Sequence, residues 1–272
     1  MFMDDQQFQV LLDYFGYDWA GYRKVRKGVK KRVSRHMQQV GCRKMSDYLS
    51  ALSASPALRQ ECERLMTVPI SRFFRDRKLW DRLYALLFED PGECRRSYLR
   101  IWSAGCSGGE EAYSLKILEA EARSNGLDPR PLSILATDKN PENLKRAKAG
   151  SYPASSLKEV PNDIMIACFE PKKGGRRFSV LPFLREGIEW RLHDLLDEPP
   201  ADAFDAVFLR NNLLTYYRKE TQEEKLPRIL KTLDANGFLV VGSHERLPQG
   251  FEHMVRDRQS PHIYIRDASL RE

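Results

Sequence analysis

Apolar residues recur at every third or fourth position through residues 5–89, which is the spacing of one face of an α-helix. One such stripe runs from Phe8 to Phe15, and a longer one runs from Val25 to Val40 with basic residues on the other faces. The pattern predicts an α-helical N-terminal domain at residues 1–89.

A different pattern follows the predicted linker at residues 90–96, which contains Pro91 and Gly92. Short apolar runs now alternate with helical stretches, which is typical of a mostly parallel sheet flanked by helices. Strands are predicted at 99–102, 132–137, 204–209, 237–241 and 262–265, and helices at 110–124, 141–149 and 221–233. Residues 90–272 therefore form a predicted α/β domain.

The stretch from about 165 to 193 is less regular and predicts a small β-subdomain. Residues 172–176 (Lys-Lys-Gly-Gly-Arg) have the composition of a hairpin turn. The flanking runs 178–181 and 188–192 are predicted to be short antiparallel strands around it.

A glycine turn connects the first predicted strand to the helix that follows it. Gly105 and the pair Gly108–Gly109 precede Glu110 and Glu111 at the helix start. A strand, a glycine turn and a helix form a ligand crevice in open α/β sheets. The two carboxylates would repel a pyrophosphate, so they favour a ligand with a positive end. A turn whose acids merely stabilise the helix dipole remains an alternative.

Polar residues also stand at the ends of two other predicted strands. Asp138 ends the second strand, where such folds hold a ribose diol, although a helix-capping role is an equal alternative. Arg210 and Asn211 end the strand 204–209. The carboxyl ends of parallel strands share one edge, so these residues are candidate ligand contacts.

The net charge of +7 is unevenly distributed. No acid occurs between Asp18 and Asp47, and ten lysine or arginine residues lie there, from Arg23 to Lys44. Such a block predicts an acidic partner, and a merely solvated basic face is the alternative.

The five cysteines are scattered without a Cys-x-x-Cys pair, which argues against a zinc site or a disulfide framework. The acidic and polar start of the sequence does not have the pattern expected of a signal peptide, and no apolar run is long enough to span a membrane. We therefore expect a cytoplasmic protein with no metal site and no membrane insertion.

Six segments together resemble the CheR family of chemotaxis-receptor methyltransferases. They occur in the family's order and cover nearly the whole chain: residues 71–75 (Ser-Arg-Phe-Phe-Arg), 102–111 (Trp-Ser-Ala-Gly-Cys-Ser-Gly-Gly-Glu-Glu), 136–138 (Ala-Thr-Asp), 147–152 (Ala-Lys-Ala-Gly-Ser-Tyr), 204–211 (Phe-Asp-Ala-Val-Phe-Leu-Arg-Asn) and 242–245 (Gly-Ser-His-Glu).

The resemblance implies a Rossmann-like methyltransferase domain with a small inserted antiparallel β-subdomain, preceded by an α-helical N-terminal domain. It implies S-adenosylmethionine as methyl donor, S-adenosylhomocysteine as product, and a glutamate side chain of a chemoreceptor as acceptor. The resemblance also implies that the methylated regions of the receptors are acidic helical bundles, and the basic helix would bind them.

The family's cofactor positions fall on Ser71, Arg75, Glu110 with its neighbour Glu111, Asp138, Asp194 with Leu195, Arg210 and Asn211, beside the turn at Gly105. Two of these are also the predicted catalytic residues. The planar guanidinium of Arg75 suits a carboxylate, and the amide of Asn211 can hold the cofactor or a target oxygen.

The chain departs from the family pattern at three places, and one of them, Gly108 in the glycine turn where Thr is common, is expected to be harmless. Pro69 and Ser71 replace the usual Asn and Thr before the Phe-Phe-Arg segment, and Thr215 replaces a Tyr, with Tyr216 displaced by one place. These changes motivate an alternative function: a catalytically weak regulatory module that binds cofactor or receptor. A nucleic-acid methyltransferase is a third hypothesis, disfavoured because no base-methylating motif is present. The receptor, any role of the β-subdomain in binding a receptor tail, and the oligomeric state stay open.

Overall fold

The computed structural model describes residues 3–68, 71–89, 96–201, 203–267 and 269. Pro69 and residues 90–95 of the predicted linker lie outside these ranges. The chain forms two compact units. We call Met1–Pro69 with Asn212–Glu224 the helical unit, and Ile70–Asn211 with Lys225–Glu272 the sheet unit.

The helices within the described ranges are α1 (Asp5–Phe15), α2 (Trp19–Tyr22), α3 (Arg26–Gln39), α4 (Met45–Ala54), α5 (Pro56–Met66), α6 (Arg77–Tyr84), α7 (Glu110–Ser124), α8 (Pro141–Ala149), α9 (Asn162–Cys168), α10 (Leu213–Tyr216) and α11 (Lys219–Lys231). The strands are β1 (Leu99–Ala104), β2 (Leu132–Asp138), β3 (Ser151–Pro153), β4 (Phe169–Pro171), β5 (Arg177–Val180), β6 (Ile188–Leu192), β7 (Phe204–Leu209), β8 (Leu233–Val241), β9 (Met254–Arg256) and β10 (Ile263–Arg266). No helix among the described residues has the length and apolar composition needed to cross a membrane.

The helical unit is built on the predicted apolar stripes. Helix α1 begins with a capping box, in which Asp4 and Gln7 satisfy each other's backbone N–H groups, and it buries the face from Phe8 to Phe15. Segment 212–217 packs tightly on α2, because a Cβ at Gly21 would lie 1.9 Å from the carbonyl oxygen of Thr215. The departure at Thr215 thus lies beside a position that accepts only glycine.

The main sheet of the sheet unit has the strand order β6-β2-β1-β7-β8-β10-β9. Pairs β6–β2, β2–β1, β1–β7 and β7–β8 are parallel, and β10 is antiparallel to β8 and β9. From β1 the sheet is extended by β2 and β6 on one side and by β7 and β8 on the other, so the strand order reverses between β1 and β7. The ligand crevice of such a fold lies at this point of reversal. The topology confirms the predicted Rossmann-like fold.

The prediction for residues 188–192 was wrong. This run is β6 and pairs parallel with β2, with Ile134 opposite Ile188, so it belongs to the main sheet. The small sheet is instead β3-β5-β4, and the predicted turn at 172–176 joins β4 to β5. The backbones of β6 and β2 approach closely where they pair, because a Cβ at Gly187 would lie 2.6 Å from the Leu132 carbonyl oxygen.

Helix α6, which the sequence assigned to the N-terminal domain, contributes Leu79, Trp80 and Leu83 to the same apolar core as β1 and α7. The first stretch of the helical unit ends at Pro69, before α6. The predicted boundary between the two domains, at residues 89 and 90, stays a prediction.

Candidate active site

The glycine turn after β1 is anchored to the end of β2. The N–H groups of Gly105 and Cys106 both donate to the carbonyl oxygen of Thr137, at 2.8 and 2.7 Å. Gly105, Ser107 and Gly109 all have positive φ (79°, 51° and 86°), and only glycine adopts such angles without strain. At Gly105 and Gly109 the turn thus presents backbone without a side chain.

Asp138 holds this edge together. Its Oδ2 accepts the N–H of Ser107 at 2.8 Å, and its Oδ1 accepts the N–H of Asn140 at 2.8 Å and the amide of Asn143 at 3.1 Å. The side chain is 8% exposed, and burial raises its pKa although these hydrogen bonds oppose the rise. Asp138 therefore joins the glycine turn to the start of α8 at the edge of the crevice.

The two acids that begin α7 have different surroundings. Glu110 is 1% exposed, and its Oε2 has no hydrogen-bond partner among the described residues. Burial raises the pKa of Glu110, against the effects of Arg146 and of hydrogen bonds from Ser71 and Ser156. Ser71, predicted to touch the cofactor, thus lies beside this carboxylate.

Glu111 is fully engaged with other side chains. Its Oε1 accepts the hydroxyl of Ser103 at 2.7 Å, and its Oε2 accepts Nη1 of Arg210 at 3.1 Å. Arg210 also donates from Nη2 to Oδ2 of Asp76 at 2.7 Å and to the carbonyl of Arg75 at 3.0 Å. The Arg210 side chain, 5% exposed, therefore joins the ends of β1 and β7 to segment 75–76.

Segment 73–76 is strained and firmly held. Phe74 and Asp76, on either side of Arg75, have φ of 51° and 66°, which is costly for a side chain as bulky as Phe. The N–H groups of Phe73 and Phe74 donate to the carbonyl of Ser156 and to Oγ of Ser114, at 3.0 and 3.1 Å. Nε1 of Trp80 adds a bond of 2.8 Å to the Arg75 carbonyl. Strained backbone persists only where the surrounding structure holds it. These contacts therefore fix the backbone from which the half-buried side chain of Arg75 extends.

Asn211, the other predicted catalytic residue, lies at the end of β7 in the left-handed conformation, with φ of 55°. Its N–H donates to Oε2 of Glu245 at 2.9 Å, and the same oxygen accepts the N–H of Gly242 at 2.6 Å. A Cβ at Gly242 would lie 3.0 Å from the Asn211 side chain and 2.7 Å from that oxygen. One buried carboxylate thus links the ends of β7 and β8.

Asp194 and Leu195 follow β6 and lie next to the end of β2. The N–H of His193 donates to the Asp138 carbonyl at 3.2 Å. Oδ1 of Asp194 accepts the N–H of Leu196 at 3.1 Å, and its Oδ2 lies 3.8 Å from Nζ of Lys139. Both residues are half-buried, so each is accessible to a ligand.

The structure thus brings the predicted residues to the carboxyl ends of β1, β2, β6 and β7. The sequence pattern assigned no role to Glu245, Ser103 or Ser114, although Ser103 and Glu245 lie in two of the six segments that resemble the family. A buried acid in a short polar segment after a strand was the available signal. No cluster of acids, histidines and cysteines suited to a metal ion occurs within the described ranges.

S-adenosylmethionine fits this edge. The cofactor carries an ammonium, a sulfonium and a ribose diol, which are cationic groups and hydrogen-bond donors. A buried carboxylate oxygen without a partner, Oε2 of Glu110, is an acceptor that needs such a donor. Accessible Asp194 is a further acceptor near the end of β2.

Comparison with known proteins shows the family to which the chain belongs. A family model described as "CheR methyltransferase, SAM binding domain" matches residues 70–263. The chain is 31% identical over 232 residues to a chemotaxis protein methyltransferase of Listeria monocytogenes, with 85% of each chain covered. It is 32% identical over 246 residues to chemotaxis protein methyltransferase 1 of Pseudomonas aeruginosa, with 88% of each covered.

Solved structures that resemble the chain include N-methyltransferase NodS from Bradyrhizobium japonicum with S-adenosylhomocysteine, at 16% identity and a TM-score of 0.35, covering 63% of this chain and 62% of that one. The family match covers most of the sheet unit and includes the whole candidate site. The chain therefore belongs to the CheR methyltransferase family and is an S-adenosylmethionine-dependent methyltransferase of chemotaxis.

Proposed function

We propose that the protein methylates glutamate side-chain carboxylates on a chemoreceptor or a related signalling protein. The relatives named chemotaxis protein methyltransferase support this acceptor class. The reaction needs little acid–base catalysis, because a glutamate with a pKa of about 4.3 is already ionised at neutral pH. S-adenosylmethionine supplies an electrophilic methyl group on a sulfonium when bound.

The residues then have to align the acceptor and exclude water from it. In this proposal Arg75 holds the acceptor carboxylate through its guanidinium, and Asn211 holds an oxygen of the acceptor or the cofactor. The strained flanks of Arg75 and the Glu245 carboxylate at Asn211 support these roles, because both residues start from fixed backbone.

For the cofactor we propose contacts from Ser71, Gly105, Glu110, Asp138, Asp194, Leu195 and Asn211. Glu110 takes the ammonium in this assignment, because its free oxygen is buried. Glu111 and Arg210 have a different role in this assignment, because their charged groups form an ion pair with each other. They hold the ends of β1 and β7 in position.

The observation that carries the acceptor class is the distribution of charge on α3. Some of its cations serve the fold: Arg26 and Lys30 pair with Asp5 at 3.2 and 2.6 Å, and Arg32 donates to the carbonyls of Leu65 and Thr67. Lys27, Lys31 and Arg35 are exposed, and they follow one another at four-residue spacing along one face. We call these three residues the cationic stripe.

The cationic stripe forms no ion pair with any part of the chain that the structure describes, whereas Arg26 and Lys30 do. Like charges at this spacing destabilise an isolated helix. An acidic helical partner would reverse that cost and would be attracted over a distance.

The test incubates the protein with labelled cofactor and a purified cytoplasmic fragment of a chemoreceptor from the same organism. We expect base-labile methyl esters on the fragment. Tight cofactor binding without esters would instead support the regulatory module that Pro69 and Thr215 suggest.

Charge reversal then tests the docking face. Changing Lys27, Lys31 and Arg35 together to Glu should lower the methylation rate by about tenfold or more at low salt, with unchanged S-adenosylhomocysteine affinity. A matched control changes the exposed residues Lys145, Lys158 and Lys231 of the sheet unit to Glu, so net charge falls equally. Equal losses in both variants would contradict docking on α3.

A further inference from the structure

A small hollow lies against the last turns of α3 in the helical unit. It has a volume of about 240 Å³ and is lined by Met3, Gln7, Ser34, Met37, Gln38, Cys42 and Arg43. Met3, Ser34 and Met37 are buried, whereas Gln38 and Arg43 are exposed at its rim. The hollow therefore has a largely apolar floor and a polar, cationic rim.

The hollow adjoins the cationic stripe. Gln38 follows Lys31 by seven residues, which is two helical turns, so it lies on the same face as Lys31 and Arg35. Ser34 and Met37 are further round the helix, toward the buried side. A rod lying along the stripe would thus reach the hollow at the C-terminal end of α3.

We propose that this hollow receives one apolar side chain of the acidic helix that docks on the cationic stripe. The inference rests on the proposed function and adds a second contact to it. Charge selects the occupant, because the exposed cation Arg43 borders the hollow and helix α3, which carries the stripe, has no acidic residue. Met3 and Met37 can pack against apolar side chains of different shapes, since the unbranched side chain of methionine adapts to irregular partners.

The two contacts have different physical signatures. Attraction between the stripe and acids weakens as salt screens exposed charges, over a distance of about 10 Å at 0.1 M ionic strength. Burial of an apolar side chain depends on the area removed from water and is nearly independent of salt at these concentrations. Salt therefore separates the contributions of the stripe and the hollow.

The experiment fills the hollow from its side. Cys42 is half-buried and follows α3, so Cys42→Phe places a ring in the space, and Cys42→Ser is the control of unchanged size. Affinity for the chemoreceptor fragment is measured by calorimetry at about 0.05 M and about 0.5 M salt. We expect Cys42→Phe to weaken binding by about tenfold at both salt concentrations, and Cys42→Ser to leave it within about twofold.

Thermal unfolding and S-adenosylhomocysteine affinity are measured on each variant and should match the wild-type protein. If Cys42→Phe unfolds early, Cys42→Leu repeats the test with a smaller side chain. Wild-type binding that Cys42→Phe or Cys42→Leu leaves unchanged, or weakens only at low salt, would overturn the proposal while leaving the proposed function intact. A wild-type protein that does not bind the fragment at either salt concentration would overturn the proposed function itself.

Discussion

Glu110 and Asp138 are buried carboxyl groups at the crevice, and burial raises the pKa of each above its ordinary value. A raised pKa means that ionisation costs free energy in the ligand-free protein. In that state the raised groups contribute stability that is present below their unfolded pKa values and lost as pH rises through the folded ones. A bound ammonium repays this cost by stabilising the ionised form.

We therefore expect S-adenosylhomocysteine binding to release protons in mildly acidic solution, above the ordinary Glu pKa of 4.5. Affinity should rise with pH through the raised pKa values, because the ligand prefers the ionised carboxylates. Calorimetry in two buffers of different ionisation enthalpy measures the protons released. Glu110→Gln should remove part of the release, and proton uptake, or no buffer dependence, would contradict the assignment.

Glu245 acts on Asn211 through the backbone. Glu245→Ala leaves the N–H groups of Asn211 and Gly242 without their acceptor, at a cost of about 1–3 kcal/mol each. We expect it to lower S-adenosylhomocysteine affinity about tenfold, at 1.4 kcal/mol per factor of ten. Glu245→Gln keeps an acceptor oxygen in place and should retain most of the affinity.

A double-mutant cycle shows whether the effect passes through Asn211. Glycine adopts a φ of 55° without support, so in an Asn211→Gly background the loss caused by Glu245→Ala should shrink. Simple addition of the two losses would show that Glu245 stabilises the sheet unit generally and does not position Asn211.

At the scale of elements, the start of α7 is closely packed against α8 and β6. A Cβ on Gly109 would lie 2.8 Å from Cβ of Ala147 in α8 and 2.8 Å from the Trp190 ring in β6. Gly109 combines this crowding with a φ of 86°. The crowding fixes the distance between α7, α8 and the end of the sheet, and hence the width of the turn.

Gly109→Ala is expected to lower the free energy of unfolding by about 3 kcal/mol, from backbone strain and overpacking together. Gly126→Ala is a matched control, because Gly126 has a φ of 83° and nothing within 4 Å of its added Cβ. Its cost should be the backbone strain alone, about 1 kcal/mol. Urea unfolding measures both, and equal costs would show that crowding at Gly109 is relieved elsewhere.

Local signals predicted several elements to the residue. Helix α8 begins at Pro141 after the cap Asn140 and ends before Gly150, and these residue types carry the start and stop signals in the sequence itself. Helix α7 begins at the predicted residue, Glu110, where the glycine turn ends and two acids occupy the first turn of the helix. The strand β6 was found, but its partner was not, because pairing depends on contacts distant in sequence and periodicity does not encode them.

The site shows the same limit. That residues at strand ends converge follows from parallel topology, so Asp138 and Asn211 could be placed at one edge in advance. The engagement of Arg210 with Asp76 joins residues 134 positions apart, and the contact of Glu245 with Asn211 spans 34. No spacing rule predicts such contacts, since they arise only once the strands are assembled.

Across the whole molecule, the proposed tasks fall on different parts of the chain. Every residue proposed to contact the cofactor lies between Ser71 and Asn211, in the sheet unit. The cationic stripe and the hollow beside it lie on α3, in the helical unit. Binding of S-adenosylhomocysteine should therefore change the amide hydrogen exchange of the two units to different extents.

Mass spectrometry measures this difference as the exchange of peptides from each unit with and without the ligand. Saturating S-adenosylhomocysteine, at about 100 times its dissociation constant, stabilises the protein that binds it by about 2.7 kcal/mol. We expect slower exchange in peptides covering residues 105–111, 138–143, 193–196 and 210–211, because these segments form the crevice edge. Peptides from α3, α4 and α5 should exchange as in the free protein. The Glu110→Gln variant replaces one carboxylate oxygen by an amide nitrogen, so it should show less protection of residues 105–111 at the same ligand concentration. Protection of α3 to the same extent as the crevice edge would contradict the separation of tasks, and no protection at residues 105–111 would contradict the proposed cofactor contacts.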